Sequence, residues 1–256
     1  MSWASRRRST YIFGVIAFFG VLIAGPLLYW YAGIQETCFD GIQNQGESAV
    51  DKGGPCQLLD ERTLTPHAIL WTRAFQVRDG TYSVVAYVEN PNENAGVMLA
   101  PYRFRLYDDR NVLVAERLGA TYVMPGTITP FYEGAIDTGN RSVARAYLEF
   151  TAPLVWERLF DATRPIVVAT KDLTDPGSSP RLVARIQNTS VAALQDVQFV
   201  AVIFDTAGNA IEASSTVVPS LEDGDEKEIV FTWPDPFEYV PGRTDVLPIL
   251  EPKERE

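Results

Sequence analysis

The 256-residue chain is poor in the side chains that do chemistry: it holds one histidine, His67, and two cysteines, Cys38 and Cys56. With so few soft or imidazole ligands, a structural or catalytic zinc site lacks its donors, and a Ser-His-Asp triad would have to run through His67. That histidine follows Pro66, where the first strand should begin, and reads as a surface or capping residue. No glycine-rich phosphate loop is present, since Gly53-Gly54 opens no helix. The adjacent carboxylates Asp108-Asp109 and Glu222-Asp223 fall in turn sequences, where acidic residues are commonplace. These shortages predict a protein that is not an enzyme and carries no cofactor.

Positive charge is scarce too, with 22 basic residues against 33 acidic ones. Three of the basic residues are Arg6, Arg7 and Arg8, and no acidic residue precedes Glu36, so the chain beyond Gly33 carries 33 acidic against 19 basic residues, a net of −14. Such a surface excludes nucleic acid and anionic lipid as partners of that part, because both need a basic footprint. It serves solubility, or else a cation or basic partner.

What the chain does have is a 22-residue uncharged run from Tyr11 to Ala32. That is long enough to cross a bilayer as one helix. Arg6, Arg7 and Arg8 in the 1–10 tail predict a cytoplasmic amino terminus, with the bulk of the chain outside the cytoplasm. Tyr29-Trp30-Tyr31 suits an interfacial aromatic belt. A signal peptide shares the basic start and apolar middle. Cleavage after Ala32 or Gly33, however, would put Trp30 or Tyr31 where a small residue belongs, and Ile34-Gln35-Glu36-Thr37 before Cys38 lacks a lipidation approach. The expectation is an uncleaved single-pass anchor, residues 11–32, in a cell membrane.

The next segment, 33–64, contains both cysteines, which should pair in an oxidising compartment. The loop between them is too polar to build a core, so closing it covalently is worth about 3 kcal/mol. Asp40, Asn44, Glu47 and Asp51 offer oxygen ligands that calcium could use, although not at EF-hand spacing. The run Cys38-Phe39-Asp40-Gly41 through Val50-Asp51-Lys52-Gly53-Gly54-Pro55-Cys56 resembles short cysteine-rich repeats of bacterial surface and secreted proteins, C-x-D-G-x-x-N-x-x-E-x-x-V-D-C-G-G-x-C. Lys52 stands where that pattern has its inner cysteine, so the repeat's fuller disulfide arrangement cannot form. The resemblance implies a surface module and no chemistry.

Beyond Thr65 the pattern is β. Tyr102, Phe104 and Leu106 alternate with Arg103 and Arg105, and Tyr82, Val84, Ala86 and Val88 show the same period of two. Turn residues at Arg78-Asp79-Gly80, Asn90-Pro91-Asn92, Asp108-Asp109-Arg110-Asn111 and Pro125-Gly126 separate short strands, as in an antiparallel sandwich. The pattern then recurs. Ala86 to Asn90 is echoed by Ala184 to Asn188, Leu106-Tyr107-Asp108 by Ile203-Phe204-Asp205, Val123-Met124-Pro125 by Val217-Val218-Pro219, and Phe131 to Ile136 by Ile229 to Trp233. The offsets fall from 98 to 94, which predicts two copies of one fold with indels in turns.

Phe104-Arg105-Leu106-Tyr107-Asp108 spells F-x-L-Y-D and resembles the signature of the bacterial extracytoplasmic β-sandwich domain named for it, with a looser second copy at Val202 to Asn209. The resemblance implies an immunoglobulin- or fibronectin-like fold on a cell surface and transfers no catalytic residue. In physical terms Phe104, Leu106 and Tyr107 are signature core positions and Asp108 opens the turn. The expected architecture is all-β: two tandem immunoglobulin/fibronectin-like antiparallel sandwiches, 65–152 and 165–250, on a single N-terminal transmembrane helix, ending in a charged tail, 251–256.

The linker, 153–164, is apolar at Leu154, Val155, Trp156, Leu159 and Phe160. The helical spacing of Leu154, Val155 and Leu159 suggests one turn packed between the sandwiches, with Trp156 between the domains or facing a partner. Two functions fit. One is a non-enzymatic envelope protein whose sandwiches bind another envelope protein or scaffold an assembly. The other is a carbohydrate- or calcium-binding module, for which Tyr87, Tyr102, Tyr122, Phe131 and Tyr132 are the aromatics to place. A flat exposed aromatic strip would favour sugar, and a broad apolar patch a protein.

Overall fold

A computed structural model describes residues 3–33, 37–159 and 165–251. The side chains of Arg6 and Arg7 and of the Tyr29-Trp30-Tyr31 belt, together with Phe160 and most of the charged tail, lie outside the described residues. The chain divides into two compact units, 1–56 and 57–256.

In the first unit, α1 (Trp3–Gly33) is a single helix with Pro26 inside it. Its window Thr10–Leu28 is long and apolar enough to cross a membrane. Tyr11, Phe18, Val21 and Leu28 on it are all exposed, as a helix that is apolar on every side requires of a lipid-facing or signal segment. After it comes the loop closed by the Cys38–Cys56 disulfide, whose Cα atoms are 5.5 Å apart.

The second unit is two antiparallel β-sandwiches. In the first, β1 (Ala68–Arg78), β2 (Thr81–Asn90) and β5 (Thr127–Asp137) form one sheet, in the order β1-β2-β5. The second sheet is β4-β3-β6, from β3 (Ala95–Tyr107), β4 (Leu113–Val123) and β6 (Arg145–Phe150). A two-residue β7 (Glu157–Arg158) pairs with the start of β3. Between the sheets lie Val84, Ala86, Val88, Phe104, Leu106 and Phe131, all buried.

The second sandwich repeats the plan. Its sheets are β12-β9-β8 and β11-β10-β13, built from β8 (Ile166–Thr174), β9 (Arg181–Asn188), β10 (Leu194–Asp205), β11 (Ala210–Leu221), β12 (Glu226–Thr232) and β13 (Pro241–Ile249). Leu182, Ala184, Ile186, Phe199, Ala201, Ile203 and Phe231 fill its core.

The register shows that the repeat is real. Ala86 faces Phe131 across β2 and β5, and Ala184 faces Ile229 across β9 and β12, an offset of 98 in both strands. Tyr107 faces Leu113, and Phe204 faces Ala210, each just after a register shift and each at an offset of 97. Asn90 and Asn188 are buried and do the same work. The Asn90 amide donates to the carbonyls of Ala95 and Met124, and the Asn188 amide to those of Ala192, Leu221 and Glu222. Each thereby ties the turn after its own strand to the far end of β4 or β11 through one buried amide. These bonds correct one alignment. Met124 corresponds to Glu222, and not to Val218, so the offset stays near 98 and Pro219 lies inside β11.

Two further expectations change. Residues 154–159 are extended and form no helical turn. Trp156 lies in the core of the first sandwich, against His67 at a ring separation of 5.7 Å, because β7 and the bonds of its neighbours tie this stretch down: Leu59 N–H donates to the Trp156 carbonyl and Leu159 N–H to that of Asn94. Gln57 to Leu64, read from sequence as part of the juxtamembrane segment, packs on the first sandwich through Leu59 and Leu64. His67 is half-buried between Phe150 and Trp156.

One half-buried acid sets a pH dependence. Glu212 on β11 faces inward opposite Ile203, and burial, with Asp235 adding repulsion, pushes its carboxyl up to about 7. An acid whose pKa rises on folding stabilises the fold fully below its unfolded value, near 4.5, and loses that contribution as pH climbs to about 7. A shift of this size corresponds to about 3 kcal/mol. Glu212→Gln should therefore match the parent at pH 4 and exceed it in urea resistance at pH 8. Equal midpoints at pH 8 would show that the carboxylate is already solvated.

Candidate functional site: docking faces of the sandwich stack

The two sandwiches meet sheet on sheet. Phe75, Val85 and Tyr87 of β1-β2-β5 pack against Val200, Val202, Phe204, Ala210 and Ala213 of β10 and β11, all buried. The result is four sheets in the order β4-β3-β6, β1-β2-β5, β11-β10-β13, β12-β9-β8, with three apolar layers between them.

The seam has polar pins. The ring of Trp71 stacks on Tyr87 at 4.4 Å and meets Phe204 at 6.0 Å. Arg243 lies 3.9 Å above the Phe204 ring, a cation–π contact. Arg73 donates to the Ala210 carbonyl, and the Tyr87 hydroxyl donates to Asp245 at 3.3 Å. Burial, reinforced by the Asp245 carboxylate, drives the Tyr87 hydroxyl pKa far up, so it stays a donor. The alternation expected in β2 is therefore incomplete: every residue from Tyr82 to Val88 is buried, because the face opposite the core docks on the second sandwich.

Packing between the sandwiches was expected through the 153–164 linker; that the contact is sheet on sheet was missed, although a signal existed. Phe199-Val200-Ala201-Val202-Ile203-Phe204 is an unbroken apolar run, which marks a strand covered on both faces.

The Phe104–Asp108 segment divides between faces. Phe104 and Leu106 are fully buried in the core. Tyr107 is a correction: it points to the opposite face, half-buried, with its ring 5.8 Å from Tyr147. Asp108 opens the turn as expected, accepting from the N–H groups of Arg110 and Val112 and pairing with Arg141 at 2.6 Å. The Val112 N–H, then Arg141, hold its carboxyl below the usual range. Asp205 makes the same turn by accepting from Ala207 and Asn209.

The outer face of β4-β3-β6 carries the cross-strand rows Leu118–Arg103–Glu149, Glu116–Arg105–Tyr147 and Leu113–Tyr107–Arg145. Arg103 and Arg105 each bridge Glu116 and Glu149, at 3.0 to 3.5 Å. Leu118 and Tyr147 stand 64% and 50% exposed. By the repeat register, Arg103, Arg105 and Tyr107 occupy the positions of Val200, Val202 and Phe204, the residues that make the seam. One face of the fold is thus a dry interface in the second sandwich and an open tyrosine–arginine–leucine surface in the first.

A cleft of about 560 Å³ runs along the edge of β5. It is lined by Arg117, Tyr132, Glu133, Gln198 and Ser215 among others. Glu133 accepts from the Tyr102 hydroxyl at 2.9 Å and pairs with Arg117 at 3.2 Å. Gly119 leaves the room for this, since a Cβ there would come within 2.5 Å of both Glu133 and Tyr102.

Of the aromatics expected to sort sugar from protein, Tyr87, Tyr102 and Phe131 are buried, Tyr132 lines the seam, and Tyr122 on β4 is half-buried. They form no exposed strip. In the clasp, Asp51 accepts from the N–H groups of Asp40 and Gly41, Asp40 from Ile42 and from the Asn44 amide, and Glu47 from Asn44 and Asp51. These bonds already engage the carboxylates that calcium would use. Glu47 lies near both cysteines, but their sulfurs are joined and offer no thiolate.

No protein-family model matches the chain, and no curated protein matches it in sequence. Among solved structures, it is similar to a β-glucuronidase from glycoside hydrolase family 2, at 12% identity and TM-score 0.22, over 69% of this chain and 21% of that one. Red sea bream transglutaminase matches at 11% identity and TM-score 0.23, over 75% and 32%. The tandem CBM22 domains of Paenibacillus barcinonensis Xyn10C match at 10% and 0.16, over 73% and 84%. The chain spans about a fifth to a third of the length of the first two. Likeness at this level carries no assignment of function.

Proposed function

We propose that this protein is a membrane-anchored, non-enzymatic binding protein, its amino terminus cytoplasmic and its sandwiches outside the cytoplasm, where they engage another envelope protein. The observation that carries this reading is the open β4-β3-β6 face, the positional twin of a face that already docks a sheet inside the molecule. Tyrosine and arginine are the side chains enriched at the centre of protein interfaces. The Arg6-Arg7-Arg8 cluster in the first turns of α1, ahead of its apolar window, supports the orientation, and the resemblance to extracytoplasmic F-x-L-Y-D domains supports the compartment.

A photoreactive residue in place of Leu118 should give a discrete protein adduct in native cells, whereas one in place of Val167, on the outer face of β12-β9-β8, should not. Adding Arg105→Glu should reduce the Leu118 adduct about tenfold, the effect of losing about 1.4 kcal/mol of binding. Equal labelling from both faces would defeat the reading. The β5 cleft favours a second one, a small polyhydroxylated ligand held by Arg117, Glu133 and Gln198. Oligosaccharide binding by calorimetry that is lost in Glu133→Gln would establish that instead.

A further inference from the structure

The disulfide clasp is built inside out. Its carboxylates turn inward onto the loop's own N–H groups, and Glu47 is only 6% exposed. Its large apolar side chains turn outward: Phe39 is 85% exposed, Ile42 59% and Val50 49%. A water-facing loop of this composition would do the reverse, since its acids gain hydration outside and its apolar groups lose nothing by hiding. The polarity suits a surface whose surroundings are apolar.

The place of the clasp in the chain says which surroundings. Phe39 lies six residues after Gly33, the end of α1, and six residues reach at most about 20 Å. The headgroup layer begins where the hydrocarbon-spanning helix stops and is itself about 5–7 Å thick on each side. The start of the loop is thus held within about 20 Å of the end of α1, close enough to reach the leaflet, and amphipathic elements there bury their apolar face at the headgroup–acyl boundary. The disulfide holds Phe39, Ile42 and Val50 within one small closed loop.

We propose that the Cys38–Cys56 clasp is a second membrane contact, inserting Phe39 and Ile42 into the outer boundary of the same leaflet that α1 crosses. This rests on α1 remaining in the bilayer. The test uses the full chain in phosphatidylcholine nanodiscs, with p-benzoylphenylalanine placed singly at Phe18, Phe39, Ile42 or Val191 and adducts read by mass spectrometry. Val191, in the second sandwich, is 93% exposed and serves as the solvent control. Lipid adducts at positions 18, 39 and 42 and none at 191 support the proposal. Adducts at 18 with none at 39 or 42 overturn it while leaving the anchor standing. No adduct at 18 overturns both. Protein adducts at 39 and 42 assign the surface to a second copy or another chain and overturn it as well.

Discussion

Phe104→Ala should lower the stability of the first sandwich by about 3–5 kcal/mol, the usual cost of emptying a fully buried phenylalanine site. Phe104 is 0% exposed and its ring meets that of Tyr102 at 5.4 Å, edge to face. A loss of that size is a large share of a domain's stability. The seam extends its reach. Unfolding the first sandwich would strip cover from Val200, Val202 and Phe204, which are apolar and buried only because the β1-β2-β5 sheet lies on them. Urea unfolding of two single-tryptophan forms separates the two, one keeping Trp156 in the core of the first sandwich and the other Trp233 in the core of the second. Both signals should move to lower urea. A Trp233 transition left at the parent midpoint would show that the seam contributes nothing.

Val202→Asp should open the seam and leave both cores intact. The side chain is 0% exposed and faces the first sandwich, and Asp245 stands across from it on β13. A new carboxylate would be dry, unpaired and beside a like charge, a penalty of about 3–5 kcal/mol. Undocking relieves this by letting water in. The expected result is a larger radius in solution scattering, a red shift of Trp71 emission and nearly unchanged far-ultraviolet dichroism. An unchanged scattering curve with parent-like stability would remove the docked stack from consideration.

How far the sequence reached depended on whether one residue pattern had one physical meaning. Tyr102-Arg103-Phe104-Arg105-Leu106 has only one, since a strand that alternates arginine with aromatics can bury only one face. Asp108 and Asp205 are equally plain, because a short carboxylate followed by Asn or Gly makes the same turn twice. The buried pair Asn90 and Asn188 was visible as a repeat, although its task of tying turn to strand end was not. Elsewhere the pattern was degenerate. An apolar run such as Phe199 to Phe204 says that both faces are covered without saying by what. The spacing of Leu154, Val155 and Leu159 fits a helical turn, yet pairing of β7 with β3 overrode it. Carboxylate oxygens that could bind calcium are the same oxygens that accept backbone N–H bonds, so Asp40, Glu47 and Asp51 could not be read either way from spacing.

The seam joins unlike faces, a β1-β2-β5 type sheet against a β11-β10-β13 type sheet, and each sandwich owns one face of each kind. A joint of that form has no built-in end: any further copy could add by the same contact, and a chain of copies would grow as a fibre rather than close. In polymer terms the molecule is a bifunctional monomer whose two terminal groups have been capped. At one end Arg103, Arg105 and Tyr107 stand in for the valines and phenylalanine of the joint. At the other, Val183 and Arg185 on β9 take the places of Val85 and Tyr87, with Glu228 beside Arg185. Replacing a few of these charges with the apolar residues already used inside would uncap the monomer, so the outward arginines guard against self-assembly as much as they invite a partner.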